Sequence, residues 1–299
     1  MIPAETILLA GPTGAGKTTI SLLLAKHLGG EIVGADAFQI YRGLPILTAQ
    51  PTPEQQAEIP HHLVGCINPC ESYDAARYGR DALEILQSIA ARGKRPIVVG
   101  GTGLYLKALV GGLDELPPKD PDLRAQLVGL DLPTLVERLR GLDPEGAASI
   151  DLANRRRVER ALEIVMITGR ALDRRSGPVL TPSGVHGFLI SRGREELAAR
   201  IASNVEVMFE AGVQAEVAAL PEESTGPTAS KTLGLAEIRA LLHGEIQKTE
   251  CIARITVATR RYAKRQMTWF RHQHDFQPID LSDGASLTDA VEGLLKKIG

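Results

Sequence analysis

Ile7-Leu8-Leu9-Ala10-Gly11-Pro12-Thr13-Gly14-Ala15-Gly16-Lys17-Thr18 decides how this chain folds. The apolar run at 7–10 reads as a short buried strand, stopped by Gly11-Pro12. From 18 to 28, apolar residues recur at helical spacing until Gly29-Gly30 ends them. Strand, glycine-rich loop and helix, in that order, form the setting in which G-x-x-x-x-G-K-[ST] binds phosphate. The glycines let backbone N–H groups turn inward around phosphate oxygens. The helix N-terminus adds partial positive charge, Lys17 a full one, and Thr18 a hydroxyl for Mg²⁺. The candidate diphosphate- or nucleotide-binding residues are therefore Gly11, Pro12, Thr13, Gly14, Ala15, Gly16, Lys17 and Thr18.

Working outward, 31–35 reads as a second strand. A helix is expected over 78–92, with Leu83, Leu86 and Ile89 on one face, and Pro96-Ile97-Val98-Val99 is a third buried strand ended by Gly100-Gly101. Strands alternating with helices imply an α/β fold with a parallel sheet and right-handed crossovers, here a P-loop NTPase-like core. After Gly111-Gly112 the texture changes. Leu116-Pro117-Pro118-Lys119-Asp120-Pro121 is hinge-like, helical segments follow to about 175, and Phe188-Leu189-Ile190 reads as a strand returning to the sheet. The expected division is a core of 1–119 and 184–299 with a helical insertion domain at 120–183. The remainder reads as mainly helical through Gln266, with a short apolar piece near 276–281.

Apolar residues make up 43% and charged residues 23%, and no run of ~18 apolar residues occurs, so no membrane partner is expected. No basic region precedes the apolar run at 7–10, which is too short for a signal peptide, so the expected compartment is the cytoplasm. The three cysteines argue against a disulfide framework. His61, His62, Cys66 and Cys70 do not follow the spacing of zinc sites. Net charge is −2, yet Arg155, Arg156, Arg157 and Arg160 cluster, as do Arg254, Arg260, Arg261, Lys264, Arg265 and Arg271. Such local faces can bind a polyanion, although a solvated helix face would look the same.

Asp36 ends the second strand, where a doubly wound sheet opens its ligand crevice and a substrate-binding group or base would sit. The third strand ends in Gly100-Gly101-Thr102-Gly103 without the carboxylate that ATPases and GTPases use for Mg²⁺, which argues against a motor or switch. A P-loop kinase acting on a small molecule or nucleotide stays open as an alternative, with Arg155 to Arg160 as an ATP-closing lid.

The phosphate loop, Asp36-Ala37-Phe38-Gln39-Ile40-Tyr41-Arg42-Gly43, Pro60-His61-His62-Leu63, Val99-Gly100-Gly101-Thr102-Gly103-Leu104-Tyr105 and Ala258-Thr259-Arg260-Arg261-Tyr262-Ala263-Lys264-Arg265-Gln266-Met267-Thr268-Trp269 occur in one order. Together they closely resemble the tRNA dimethylallyltransferase family, bacterial type. The resemblance implies a cradle for the diphosphate of dimethylallyl diphosphate, with Mg²⁺, and an adenosine flipped from the tRNA anticodon loop to meet the prenyl donor. It implies Asp36 as catalytic base, Lys17 and Thr102 as further catalytic residues, and an insertion domain gripping the anticodon stem-loop. By the same resemblance, tRNA contacts come from Asp36, Ala37, Phe38, Gln39, Thr102, Arg124, Arg156, Arg157, Arg160, Arg260, Arg261, Lys264, Arg265 and Gln266, and the enzyme is a monomer. The chain departs from the family pattern in several places. Ala37 stands for Ser, Gln50 for Lys, Gly65 for Asp, Asn204 for an Arg thought to help hold the diphosphate, and Leu235-Ala236 for Tyr and a basic residue. Trp269 and Phe270 read as core anchors of the last helix.

Overall fold

The computed structural model describes residues 1–112, 117, 120–172, 179–282 and 286–298. Strand β1 (Ile7–Ala10) leads through the glycine-rich loop into α1 (Lys17–Leu28), followed by β2 (Gly30–Gly34), α2 (Pro53–Glu58), β3 (His61–His62), α3 (Ala75–Ala91), β4 (Arg95–Gly100) and α4 (Gly103–Gly111). The helices α5 (Pro121–Val128), α6 (Leu132–Leu142), α7 (Pro144–Ser149) and α8 (Arg155–Thr168) come next. The chain then returns through β5 (His186–Ser191), α9 (Arg194–Glu210), α10 (Val213–Ala218), α11 (Leu235–Leu242), α12 (Lys248–Gln273), β6 (Gln277–Asp280) and α13 (Leu287–Ile298).

The described residues form one six-stranded sheet in the order β3-β2-β4-β1-β5-β6, every neighbouring pair parallel. β1, β4 and β2 lie side by side, so the segments that leave their carboxyl ends share one edge of the sheet. These are the phosphate loop, Gly101-Thr102 and Asp36, and their gathering follows from topology alone. Ile7 and Leu9 on β1, Ile20 and Leu24 on α1, Phe188 and Ile190 on β5 and Val291 and Leu294 on α13 form one buried cluster. Burial of each such side chain stabilises by about 1.5–3 kcal/mol. A second cluster joins Leu44, Leu47, Val205, Phe209, Val213, Val217, Leu235 and Ile255.

The chain divides into a core, Met1–Gly112 with Pro178–Gly299, and a second unit, Leu113–Gly177. The latter has its own apolar centre of Leu127, Leu135, Leu139, Val158, Leu162 and Val165. The boundary differs from the one expected from composition. Residues 179–183 belong to the core because Val179 donates its N–H to the Gln273 carbonyl and Thr181 bonds Asp275 through both N–H and hydroxyl. These partners are distant in sequence, so a Pro/Gly-rich stretch that reads as a linker is tied down by contacts no local pattern reveals.

Four helices outside the phosphate loop have their first N–H groups met by their own caps, and α1 does not. Asp74, Asp120, Asp131 and Asn154 cap α3, α5, α6 and α8 with side-chain acceptors. α1 begins at Gly16, in the left-handed region at φ 97°, with no side-chain cap and no acidic residue in its first turn. Its terminal N–H groups are left for a ligand.

Candidate active site

The phosphate loop is braced on its carbonyl side. Lys17 Nζ donates to the Pro12 carbonyl at 2.8 Å, Arg200 Nε to Gly14 O at 3.0 Å and Arg192 Nε to Ala15 O at 3.0 Å. Arg192 is nearly buried, with Glu196 and the Leu281 carbonyl accepting from its Nη1. Occupied carbonyls favour amides facing the other way, the orientation an anion requires; of the loop amides, Thr13 N–H is taken by Gln266 Oε1 and Ala15 N–H by the Pro12 carbonyl. Burial lowers the Lys17 pKa to about 8, and the nearby charge of Asp36 opposes that shift.

Asp36 follows β2 in a tight turn in which Oδ1 accepts the N–H of Phe38 at 2.9 Å and of Gln39 at 3.4 Å. Oδ2 has no partner among the described residues. Thr102 Oγ1 accepts the Ala37 N–H at 3.0 Å, and Thr102 N–H donates to Ala35 O at 3.1 Å, which joins the ends of β2 and β4. Gln266 on α12 closes the arrangement: its Oε1 accepts Thr13 N–H at 3.0 Å and its Nε2 donates to Gly101 O at 2.9 Å. A Cβ at Gly101 would come within 2.2 Å of Gln266 Nε2, and one at Gly103 within 1.9 Å of Trp269 Cδ1, so these glycines admit α12 against the turn. Trp269 and Phe270 serve as anchors, as read from the sequence, with Phe270 buried.

A pocket opens beside the loop. Thr13, Asp36, Thr259 and Tyr262 are among the polar residues that line it, and Ile46, Leu47, Val205, Met208, Leu233 and Ile255 are among the apolar ones. Tyr262 was not singled out from sequence. Its phenol lies against Thr102 and Gln266, and burial raises its pKa, keeping it neutral. The signal was available, because Thr259, Tyr262 and Gln266 fall at helical spacing on one stripe of α12 while Arg260, Arg261, Lys264 and Arg265 are exposed on the others.

Several expected tRNA contacts have other partners here. Gln266 is buried and its amide is used by Thr13 and Gly101. Gln39 donates its amide to the Thr48 and Ala49 carbonyls. Arg124 forms two bonds to Glu163, at 2.9 and 3.0 Å, while Arg160 bonds Glu163 at 2.6 Å and the Pro117 carbonyl at 2.7 Å. Glu163 is buried, which pushes its carboxyl up, but hydrogen bonds from Arg124, Arg160 and the Asp120 N–H outweigh this and hold its pKa to about 2. Both arginines are thus structural ties within the second unit. Glu163→Ala is expected to destabilise that unit by about 2–3 kcal/mol, measured by chemical denaturation of the whole chain. The sign with pH follows from the depressed value: the contribution is present in full above 4.5 and is lost as pH falls toward about 2. Arg156 and Arg157 are exposed.

The departures at Gln50 and Gly65 are one local change. A Cβ on Gly65 would stand 3.1 Å from Gln50 Oε1, and Gln50 Nε2 donates to the carbonyls of Gln39 and Tyr41. Asn204 lines the pocket, one turn beyond Arg200 on α9. Leu235 is buried in the second apolar cluster. His61 and His62 form edge strand β3 and bond the Ile59 carbonyl and Glu31, and among the described residues no set of three or more His, Cys, Asp or Glu could hold a metal. Thr18, exposed at the mouth of the loop, offers one hard oxygen ligand. That fits a magnesium ion carried largely by phosphate oxygens and water, the habit of this cation, rather than a protein cage.

Comparison with known proteins places this geometry. Residues 39–273 match the family model described as IPP transferase, and residues 4–60 match the one described as isopentenyl transferase. A tRNA dimethylallyltransferase from Akkermansia muciniphila is 44% identical over 98% of this chain and 99% of its own, and one from Syntrophobacter fumaroxidans is 41% identical over 97% and 87%. Among solved structures, the tRNA isopentenylpyrophosphate transferase of Bacillus halodurans superimposes with TM-score 0.72 at 32% identity, over 99% of this chain and 97% of the other. A eukaryotic dimethylallyltransferase acting on tRNA superimposes with TM-score 0.82 at 25% identity, over 98% and 78%.

Proposed function

The chain belongs to the IPP transferase family, and from that premise we propose that it transfers a dimethylallyl group from dimethylallyl diphosphate to N6 of the adenosine 3′-adjacent to the anticodon, position 37, of tRNAs. The products are N6-(dimethylallyl)adenosine and diphosphate. The observation that carries the reading is the pocket joining the phosphate loop, at Thr13, to Asp36 and then to apolar walls. The phosphate loop beside it suits a diphosphate, Asp36 a nucleophile's proton, and the apolar walls a prenyl group.

Adenine N6 is a weak nucleophile because its lone pair is delocalised into the ring. Asp36 accepts the N6 proton as the N–C bond forms, the allylic C–O bond breaks, and the electron pair of that bond leaves with the diphosphate. Lys17, the loop amides and the α1 N-terminus stabilise the charge gathering on the leaving group. Mg²⁺, with Thr18 as its protein ligand, would add to that stabilisation. Thr102 and Gln266 keep the Asp36 turn and the loop in register. Every group named lies in one chain, in keeping with a monomer.

The adenosine reaches the pocket by leaving its stack, at a cost of a few kcal/mol that phosphate contacts offset. Arg156 and Arg157 on the second unit, and Arg261, Lys264 and Arg265 on α12, remain exposed for the anticodon stem-loop. No helix among the described residues is long and apolar enough to cross a membrane. A tRNA substrate is in keeping with an enzyme of the cytoplasm. The kinase alternative is not favoured, since no carboxylate follows β4 and the relatives are tRNA transferases.

Incubation with total tRNA and labelled dimethylallyl diphosphate should place label in RNA as N6-(dimethylallyl)adenosine; label absent from RNA would reject the reading. Lys264→Ala should weaken tRNA binding at low salt and reduce the slope of log K against log[salt] by about 0.7–0.9, with the donor KM nearly unchanged. Superimposable titrations of variant and wild type would move the RNA off this face of α12.

A further inference from the structure

One wall of the pocket is the turn segment 44–50, which contributes Ile46, Leu47, Thr48 and Ala49. Its shape is imposed from elsewhere in the chain. Ile46 N–H donates to Glu216 Oε2 at 2.7 Å and Leu47 N–H to Glu216 Oε1 at 2.8 Å, so one carboxylate on α10 holds two consecutive amides. The far side of the segment is tied by Gln39, whose Nε2 donates to the carbonyls of Thr48 at 3.0 Å and Ala49 at 2.8 Å. Ala49 is held at φ 52°, a left-handed conformation that a non-glycine residue keeps only when its surroundings enforce it. Val213 and Val217 root α10 in the apolar cluster that also contains Leu44, Leu47, Val205 and Ile255. Glu216 and the wall therefore rest on one packed body. Burial pushes the Glu216 carboxyl up, and the two amides counter that shift.

We propose that Glu216, a positioning residue outside the pocket lining, sets the length of prenyl chain the enzyme accepts by fixing the backbone of Ile46 and Leu47. The proposal rests on the prenyl-transfer reading above. A five-carbon chain packs against the wall as it stands. A ten-carbon chain needs the wall displaced, which would break two charge-assisted hydrogen bonds and strand two half-buried amides. An apolar site rejects a longer chain only as firmly as its walls resist displacement, and the clamp supplies that resistance.

The test compares dimethylallyl diphosphate with geranyl diphosphate as donors to tRNA. Glu216→Gln is close to isosteric but leaves one amide facing an NH₂ group. It should raise the dimethylallyl diphosphate KM roughly tenfold with kcat little changed, and raise the geranyl-to-dimethylallyl ratio of kcat/KM by roughly tenfold or more. Ile46→Ala shortens the same wall without touching Glu216 and should raise the ratio too, with the double variant giving less than the product of the two effects. A ratio unchanged in Glu216→Gln, whatever happens to KM or Tm, would reduce Glu216 to a structural contact and overturn the proposal. A ratio unchanged in folded Ile46→Ala would overturn it as well, even were Glu216→Gln not to fold. Wild-type enzyme that labels no tRNA from dimethylallyl diphosphate would instead remove the prenyl-transfer reading, a separate result.

Discussion

Asp36→Asn should lower kcat by roughly 10²–10⁴ while leaving the KM for dimethylallyl diphosphate nearly unchanged. Oδ1 is engaged by the N–H groups of Phe38 and Gln39, so the turn fixes the carboxylate and leaves Oδ2 for the N6 proton. The asparagine amide can still accept those two hydrogen bonds through its oxygen. It then turns an NH₂ group toward the adenine amine, where a donor meets a donor and no proton can be taken. On the proposed reading the donor's diphosphate binds the loop amides and Lys17, which the substitution does not touch. Steady-state kinetics with tRNA saturating, backed by single-turnover measurement of the N–C bond-forming step, separates the two parameters. A loss confined to KM would make Asp36 a positioning group, with the proton passing elsewhere.

What the sequence made legible is what short-range pattern encodes. The loop, β1, β2, β4, the returning strand β5 and the position of Asp36 are each written within about ten consecutive residues, and their convergence follows from parallel topology. The clamps were not legible. Gln266 lies 253 residues from Thr13, and Glu216 lies 170 from Ile46, so no periodicity links them. The roles of Arg192 and Arg200 show only in the folded chain, where they meet the loop carbonyls. Arg124 and Arg160, expected to contact tRNA, are also partners of Glu163, a tie the resemblance did not suggest. Glu163, three residues after Arg160 and amid Ala161, Leu162, Ile164 and Val165, was a visible partner, and a carboxylate on the apolar stripe of a helix rich in arginine is a candidate for a buried ion pair. Strand β3 escaped because two residues at a sheet edge carry no pattern. The departures at Gln50 and Gly65 looked like two lost polar groups, and the structure makes them neighbours in one rebuilt turn.

Lys17→Met is expected to reduce turnover by roughly 10²–10³, the usual effect of removing one preorganised group that stabilises developing oxyanion charge. The folded protein should survive the change. Burial holds the Lys17 pKa to about 8 against 10.5 in the unfolded chain, so below pH 8 folding confines an ammonium group that water would rather solvate. Between those values the unfolded chain binds more protons, and stability rises with pH; below them the cost is present in full. Methionine removes that cost, worth about 1–3 kcal/mol once residual solvent access is allowed for, and this offsets the unpaired Pro12 carbonyl. Tm should therefore stay level or rise while activity collapses, which rules out unfolding as the cause. The same shift shapes the wild-type pH profile. The kcat/KM for the donor reports the free enzyme and should fall as pH rises through about 8, whereas kcat should hold to higher pH because a bound diphosphate favours the ammonium form. Lys17→Met should lose this alkaline limb altogether. A variant that keeps wild-type turnover, or keeps the limb, would take Lys17 out of the diphosphate site.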